Sequence, residues 1–277
     1  MIFSIAGLAI WRPFKGGIRV FKENDNMRPG PTPERVLAVC RLISQGTYTN
    51  QDIYKECALN EDVDLNDEAI RSSIDSAEEL GFIKKNKDRY ELVIDVKYLD
   101  TAQEFRRLVS SAAFKNKKTS FFKLTEWFIK NSDEVLKINR FDDLAATAAK
   151  TGVPSVTEND ILGWRFWMRY LGFAYQYNKT LIPNMKTRIE DALLELPKGT
   201  KMSCTQFVGW IKDNIPEAAS ACSEAILPLA VSNGLRILNN EGVIELVSTR
   251  DAVRTSLYPL NGVDLNDFSE IIIRGCD

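Results

Sequence analysis

The residues of this chain whose types and spacing could support a function are basic side chains near aromatic rings. Such residues are suited to contact with a nucleic acid. Arg165 and Arg169 are four residues apart, so on a helix they share one face, from which arginines bind guanine edges or phosphates. Trp164 begins the aromatic run around them. The other basic groups are Lys84, Lys85, Lys87 and Arg89, and Arg106, Arg107, Lys115, Lys117 and Lys118. Each group also has a purely structural interpretation, as core aromatics or as solvated charge.

Catalytic chemistry has little support from the residue types present. The chain of 277 residues contains no histidine, which excludes imidazole-activated nucleophiles, histidine metal sites and histidine acid–base catalysis. The common nucleotide-binding and zinc-protease motifs are absent too. We therefore expect a protein that is not an enzyme, with no catalytic residue, no cofactor and no metal site.

Composition and the N-terminal residues indicate a cytoplasmic protein. The five cysteines form no C-x-x-C pair, which favours a reducing compartment and buried, apolar roles. Residues 1–11 are mostly apolar, but the basic side chains follow them, which is the reverse of a secretory signal. We expect residues 1–11 to form a short buried strand or helix, residues 1–30 to be an N-terminal apolar and basic segment with a linker, and no membrane partner.

Residues 31–100 predict three helices followed by a hairpin. Thr32 precedes a proline and is typical of an N-cap, and the apolar spacing predicts a third helix over residues 66–80. Gly81 then closes that helix, because glycine takes the left-handed conformation at least cost. Residues 84–88 would form the polar tip between two strands rich in β-formers.

The sequence pattern at Gly81, a helix followed by a glycine and an apolar pair, recurs at Gly172 and Gly242. We interpret it as three copies of one small domain. The predicted domains are residues 31–100, residues 101–184 including a basic helical connector, and residues 185–277. In the third copy, residues 244–247 and 256–258 would be the two hairpin strands.

Local charge distinguishes the copies. A helix that enters the major groove needs donors and must keep carboxylates away from phosphate. The predicted third helix of the first copy is acidic, so we expect it to face protein or solvent, whereas its hairpin tip is basic. The long helix of the third copy carries little charge except Arg236, which indicates packing against another domain or subunit. Residues 101–130 hold seven basic and two acidic residues.

The order of helices and the glycine–apolar start of the hairpin in residues 33–96 resemble the winged helix-turn-helix superfamily, and the weaker copies extend the resemblance over most of the chain. The resemblance implies a mainly α fold with minor β structure, built of tandem winged helix-turn-helix domains, each a three-helix bundle with a small β-hairpin wing. It also implies a binding module, usually for nucleic acid. Tandem winged helices of this kind are similar to accessory subunits of bacterial chromosome-organising and phage-defence systems.

Two hypotheses follow. In the first, the chain is a non-enzymatic, DNA-associated accessory or regulatory subunit of a prokaryotic system, with double-stranded DNA as partner and the basic groups named above as contacts. In the alternative, it is a protein–protein interaction scaffold, and winged helices 1 and 3 dock partner proteins or a second copy without contacting DNA.

Overall fold

Side-chain caps fix where the helices of the first part of the chain begin. Thr32 and Thr49 each accept a hydrogen bond from a backbone N–H of the following helix, and Asp67 accepts two, which satisfies N–H groups that a helix leaves unpaired. The computed structural model describes residues 20–22, 27, 29–58 and 67–275. The first module comprises α1 (Pro33–Ile43), β1 (Tyr48–Thr49), α2 (Asn50–Cys57), α3 (Glu68–Glu79), β2 (Ile83–Asn86) and β3 (Arg89–Leu92).

The predicted order of three helices and a hairpin is therefore present in the first module. Its three strands form an antiparallel sheet in the order β1-β3-β2. The second module contains more helix and only one hairpin. Its elements are α4 (Ala102–Ala113), α5 (Ser120–Lys130), α6 (Ser132–Val135), α7 (Phe141–Thr151), α8 (Glu158–Tyr170), β4 (Ala174–Tyr177) and β5 (Thr180–Pro183).

The third module repeats the sheet of the first, with an insertion. Its strands pair in the order β6-β10-β7, so the partner of residues 244–247 is residues 270–273. The prediction that residues 256–258 form that second strand is wrong, because residues 255–256 pair instead with residues 267–268 within the insertion. The elements are α9 (Lys186–Leu193), β6 (Lys201–Ser203), α10 (Cys204–Asn214), α11 (Leu229–Asn240), β7 (Ile244–Val247), β8 (Thr255–Ser256), β9 (Asp267–Phe268) and β10 (Glu270–Ile273).

The predicted glycine signal is confirmed in all three modules. Gly81, Gly172 and Gly242 have φ angles of 75°, 80° and 75°. After each glycine, the next N–H bonds back to a carbonyl five residues earlier, as in Phe82 to Ala77 at 2.9 Å, which ends the helix and starts the strand. The three helices α3, α8 and α11 therefore occupy the equivalent position before each hairpin.

Buried apolar side chains of all three modules form one continuous cluster, from Val20 to Ile273. The chain is mainly α-helical, with small antiparallel sheets. In the described part of the chain, every helix is too short or too polar to cross a membrane. The segment predicted for residues 1–11 lies outside the described residues.

Candidate nucleic-acid interface

Helix α8, predicted to read DNA, buries the side that carries its tryptophans. Trp164 and Trp167 are both 0% exposed. The Trp164 indole N–H donates to the Thr125 hydroxyl at 3.1 Å, and that of Trp167 donates to the Pro31 carbonyl at 3.0 Å. The prediction that Trp164 contacts nucleic acid is therefore wrong. The two indole rings therefore belong to the core, and only the opposite side of the helix, which carries Arg165 and Arg169, reaches the surface.

The two arginines of α8 differ in their surroundings. The guanidinium of Arg165 lies 4.9 Å from the ring centroids of both Phe141 and Phe166. Burial and then the nearby charge of Arg169 lower the pKa of Arg165. Arg169 is exposed and forms no ion pair with another described residue. Of the residues predicted on this helix, Arg169 alone is freely accessible at the surface.

Arg106 and Arg107 hold α4 against the third module. Arg106 donates to both carboxylate oxygens of Asp191, one bond being 2.8 Å, and the Asp191 side chain is only 2% exposed. Arg107 pairs with Glu195. A buried carboxylate already engages the guanidinium of Arg106, and Arg107 is likewise paired with a carboxylate, so neither is a free cation, and contact of either with nucleic acid stays a prediction.

The loop between α4 and α5, residues 114–119, carries accessible lysines. Lys115, Lys117 and Lys118 are exposed, and none of them forms an ion pair with another described residue. Thr119 then caps α5, so Lys117 and Lys118 lie just before the positive end of a helix dipole. Cationic side chains at a helix N-terminus favour phosphate.

The first hairpin, β2–β3, carries the largest number of accessible cations among the predicted groups. Lys84, Lys85, Lys87 and Arg89 are all exposed. Lys84 pairs with Glu91 directly across the hairpin at 3.5 Å. The hydrogen bond from Asn86 and the charge of Lys84 lower the pKa of Glu91, so this pair persists at neutral pH.

The remaining three cations of the first hairpin have no carboxylate partner among the described residues. The ammonium of Lys85 lies 5.4 Å from the centroid of the Tyr90 ring, and Arg89 donates to the Thr47 carbonyl at 3.0 Å. Lys87 is the first residue of the turn and has a φ of 57°. The tip also exposes the carboxylate of Asp88, so its net charge is positive but includes an acid.

Helix α3 leaves no such surface, as expected from its charge. Its exposed residues include Glu68, Arg71 and Glu78, which lie on one stripe because their spacing follows the helical repeat. Helix α11 of the third module is almost wholly buried. Its Ala230 N–H bonds the Ser132 hydroxyl of the second module at 3.1 Å, so this helix packs against residues outside its own module.

The second hairpin, β4–β5, has an exposed surface that was not among the predicted contacts. Tyr175 and Tyr177 are 53% and 71% exposed. Lys179 in the turn is exposed as well. The signal in the sequence was the spacing of two tyrosines two residues apart on a predicted strand, which places both rings on one face.

The described cysteines have structural positions. Cys40, Cys204 and Cys222 are buried, and burial raises the pKa of Cys40 and of Cys222 to about 12, so those two thiols stay protonated at neutral pH. Within the described ranges, no group of three or more Cys, Asp or Glu side chains is arranged to hold a metal ion.

The fold and its accessible cations define a mainly α-helical protein whose candidate contacts are hairpins and one loop. A family model described as DpdG-like matches residues 26–252, and the chain belongs to the DpdG-like family. Membership associates the chain with a DNA-modification system. Searches of curated proteins and of solved structures gave no significant match.

Proposed function

We propose that this chain is a non-enzymatic, cytoplasmic, DNA-associated accessory subunit of a multi-subunit DNA-modification or genome-defence system. The three modules are then winged helices, an assignment supported by the helix order, the left-handed glycines and the sheet order β1-β3-β2. The observation that carries the proposal is the first hairpin, on which Lys85, Lys87 and Arg89 are exposed and have no carboxylate partner among the described residues.

The contact we propose is with the phosphate backbone of duplex DNA. The first hairpin and the loop of residues 114–119 supply lysines that can neutralise phosphates and release counterions. We do not expect a helix of this chain to read bases in the major groove. Helix α11 is largely buried, α8 leaves only Arg169 as an exposed cation, and the exposed stripe of α3 carries carboxylates that would meet phosphate. Binding should therefore depend little on base sequence.

A salt-dependent titration tests this function. The full chain is titrated against a labelled duplex at several salt concentrations, as wild type and as the variants K85E/K87E and K117E/K118E. We expect wild-type affinity to fall linearly on a log–log plot, with a slope of about 0.9 per phosphate contact. Each double reversal should reduce that slope by about 2 and weaken binding by about a hundredfold at 0.1 M salt.

A matched control reverses two exposed lysines elsewhere, K201E/K212E. Lys201 and Lys212 are exposed and form no ion pair with another described residue, so the net charge changes equally while the proposed contacts remain. Binding that ignores salt, or an equal loss in the control, would contradict the proposal.

A second candidate function, docking of a basic partner subunit, is favoured by the exposed acidic stripe of α3, which includes Glu68 and Glu78. The same titration distinguishes the two functions. A chain that binds no duplex at any salt concentration, yet co-purifies with other subunits of its system, would act as a scaffold.

A further inference from the structure

The second hairpin exposes two aromatic rings on one face of a strand. Tyr175 lies opposite Ile182 and Tyr177 opposite Thr180 in the antiparallel register. Opposite residues project from the same face, so the two tyrosines share one surface with Ile182 and Thr180. The other face of β4 packs inward, since Ala174 is 4% exposed.

Cations flank these rings. Arg169 and Tyr175 line the same recess of about 360 Å³, together with Phe166 and one carboxylate, Glu34. Lys179 lies in the turn beyond Tyr177. Arg169 and Lys179 are exposed and have no ion-pair partner among the described residues, although within the recess itself the charges of Arg169 and Glu34 balance.

We propose that the second hairpin is a stacking platform for unpaired nucleobases of single-stranded DNA, with Tyr175 and Tyr177 as the stacking rings and Arg169 and Lys179 as phosphate contacts. Two residues along a strand span about 6.8 Å, which is about twice the 3.4 Å spacing of nucleotides along a strand. A base can therefore insert between the two rings or stack on either one. Exposed aromatics beside a cationic surface are the usual means of binding single strands without sequence readout.

The inference goes beyond the proposed function, because it adds a second site with a different form of DNA as ligand. A duplex keeps its bases stacked on one another, so it offers no free base face to Tyr175 or Tyr177. The hairpin should accordingly prefer a single strand to a duplex of the same length. The first hairpin, which contacts phosphates alone, has no such requirement.

The test uses the full chain and a fluorescein-labelled oligothymidylate of about 12 nucleotides, with a duplex of equal length as comparison. The variant Y175A/Y177A should weaken single-strand binding by at least about tenfold, since each stacked base contributes roughly 1–3 kcal/mol. The variant Y175F/Y177F keeps the rings and should bind within about threefold of wild type. Both tyrosines are largely exposed, so the melting temperature should not change.

A control replaces Tyr98, a partly buried tyrosine of another surface, by alanine, and should leave single-strand binding unchanged. The proposal is overturned if the oligothymidylate does not bind, if Y175A/Y177A binds as wild type does, or if the phenylalanine variant loses as much as the alanine variant. Its failure is distinct from failure of the duplex proposal, which depends on K85E/K87E and on the duplex titration.

Discussion

The first and second hairpins share a backbone and differ in surface chemistry. Each has two strands of four residues joined by a two-residue turn, and each follows a helix closed by a left-handed glycine. The first turn residue has a positive φ in both, 57° at Lys87 and 53° at Asn178. The first hairpin presents cations, whereas the second presents tyrosines.

The first turn residue differs between the two hairpins, and this difference affects the stability of the fold. Asparagine tolerates the left-handed region, whereas a residue such as lysine adopts it at a cost of about 1 kcal/mol. The first hairpin therefore has a strained residue in its turn, and that residue places a cation at the tip. The same backbone thus supports two surfaces of different chemistry.

The largest effect expected from the comparison is that each hairpin variant loses affinity for a different form of DNA. The K85E/K87E variant should lose about a hundredfold in duplex affinity, whereas Y175A/Y177A should leave duplex affinity within about threefold, because stacking needs unpaired bases. Parallel anisotropy titrations of both variants against duplex and single strand measure this. Equal losses of both ligands in both variants would mean that the hairpins form one undivided site.

Exchanging the turn residues should have a smaller effect, and the two exchanges should change stability in opposite directions. Lys87→Asn should raise the free energy of unfolding by about 1 kcal/mol, or about 2 °C in melting temperature, and weaken duplex binding a few-fold through loss of one cation. Asn178→Lys should destabilise the protein by a similar amount. Denaturant unfolding and duplex titration measure the two effects. A Lys87→Asn variant that is no more stable than wild type would contradict the strain argument.

The smallest effect concerns the one paired cation of the first hairpin. Glu91→Gln removes the carboxylate that pairs with Lys84, so duplex affinity should rise about two- to fourfold as another phosphate contact becomes possible. In the wild type, the lowered pKa of Glu91 keeps the pair intact until the pH falls below the usual glutamate range. Duplex affinity should therefore be constant between pH 6 and 8 and increase only under more acidic conditions.

Local structure was largely predictable because its causes are local. Gly81, Gly172 and Gly242 close helices through the backbone freedom of glycine itself, and Thr32 and Thr49 cap helices through bonds to residues three positions away. The insertion after β7 was misjudged, because strand pairing between residues 244–247 and 270–273 depends on contacts between residues far apart in the chain. The spacing of Tyr175 and Tyr177 predicts that both rings share one face of a strand, but it does not show whether that face is exposed.

The sequence by itself determined the helix order, the turn positions and the acidic or basic character of each segment. Only the tertiary structure decided which charged or aromatic side chains remain accessible. Trp167 bonds to Pro31, 136 residues away, and Arg106 bonds to Asp191, 85 residues away. A helical apolar pattern shows which face is buried against its own module, but it carries no information about whether another module covers the opposite face. That is why α8 has the composition of a DNA-reading helix although its tryptophans lie in the core.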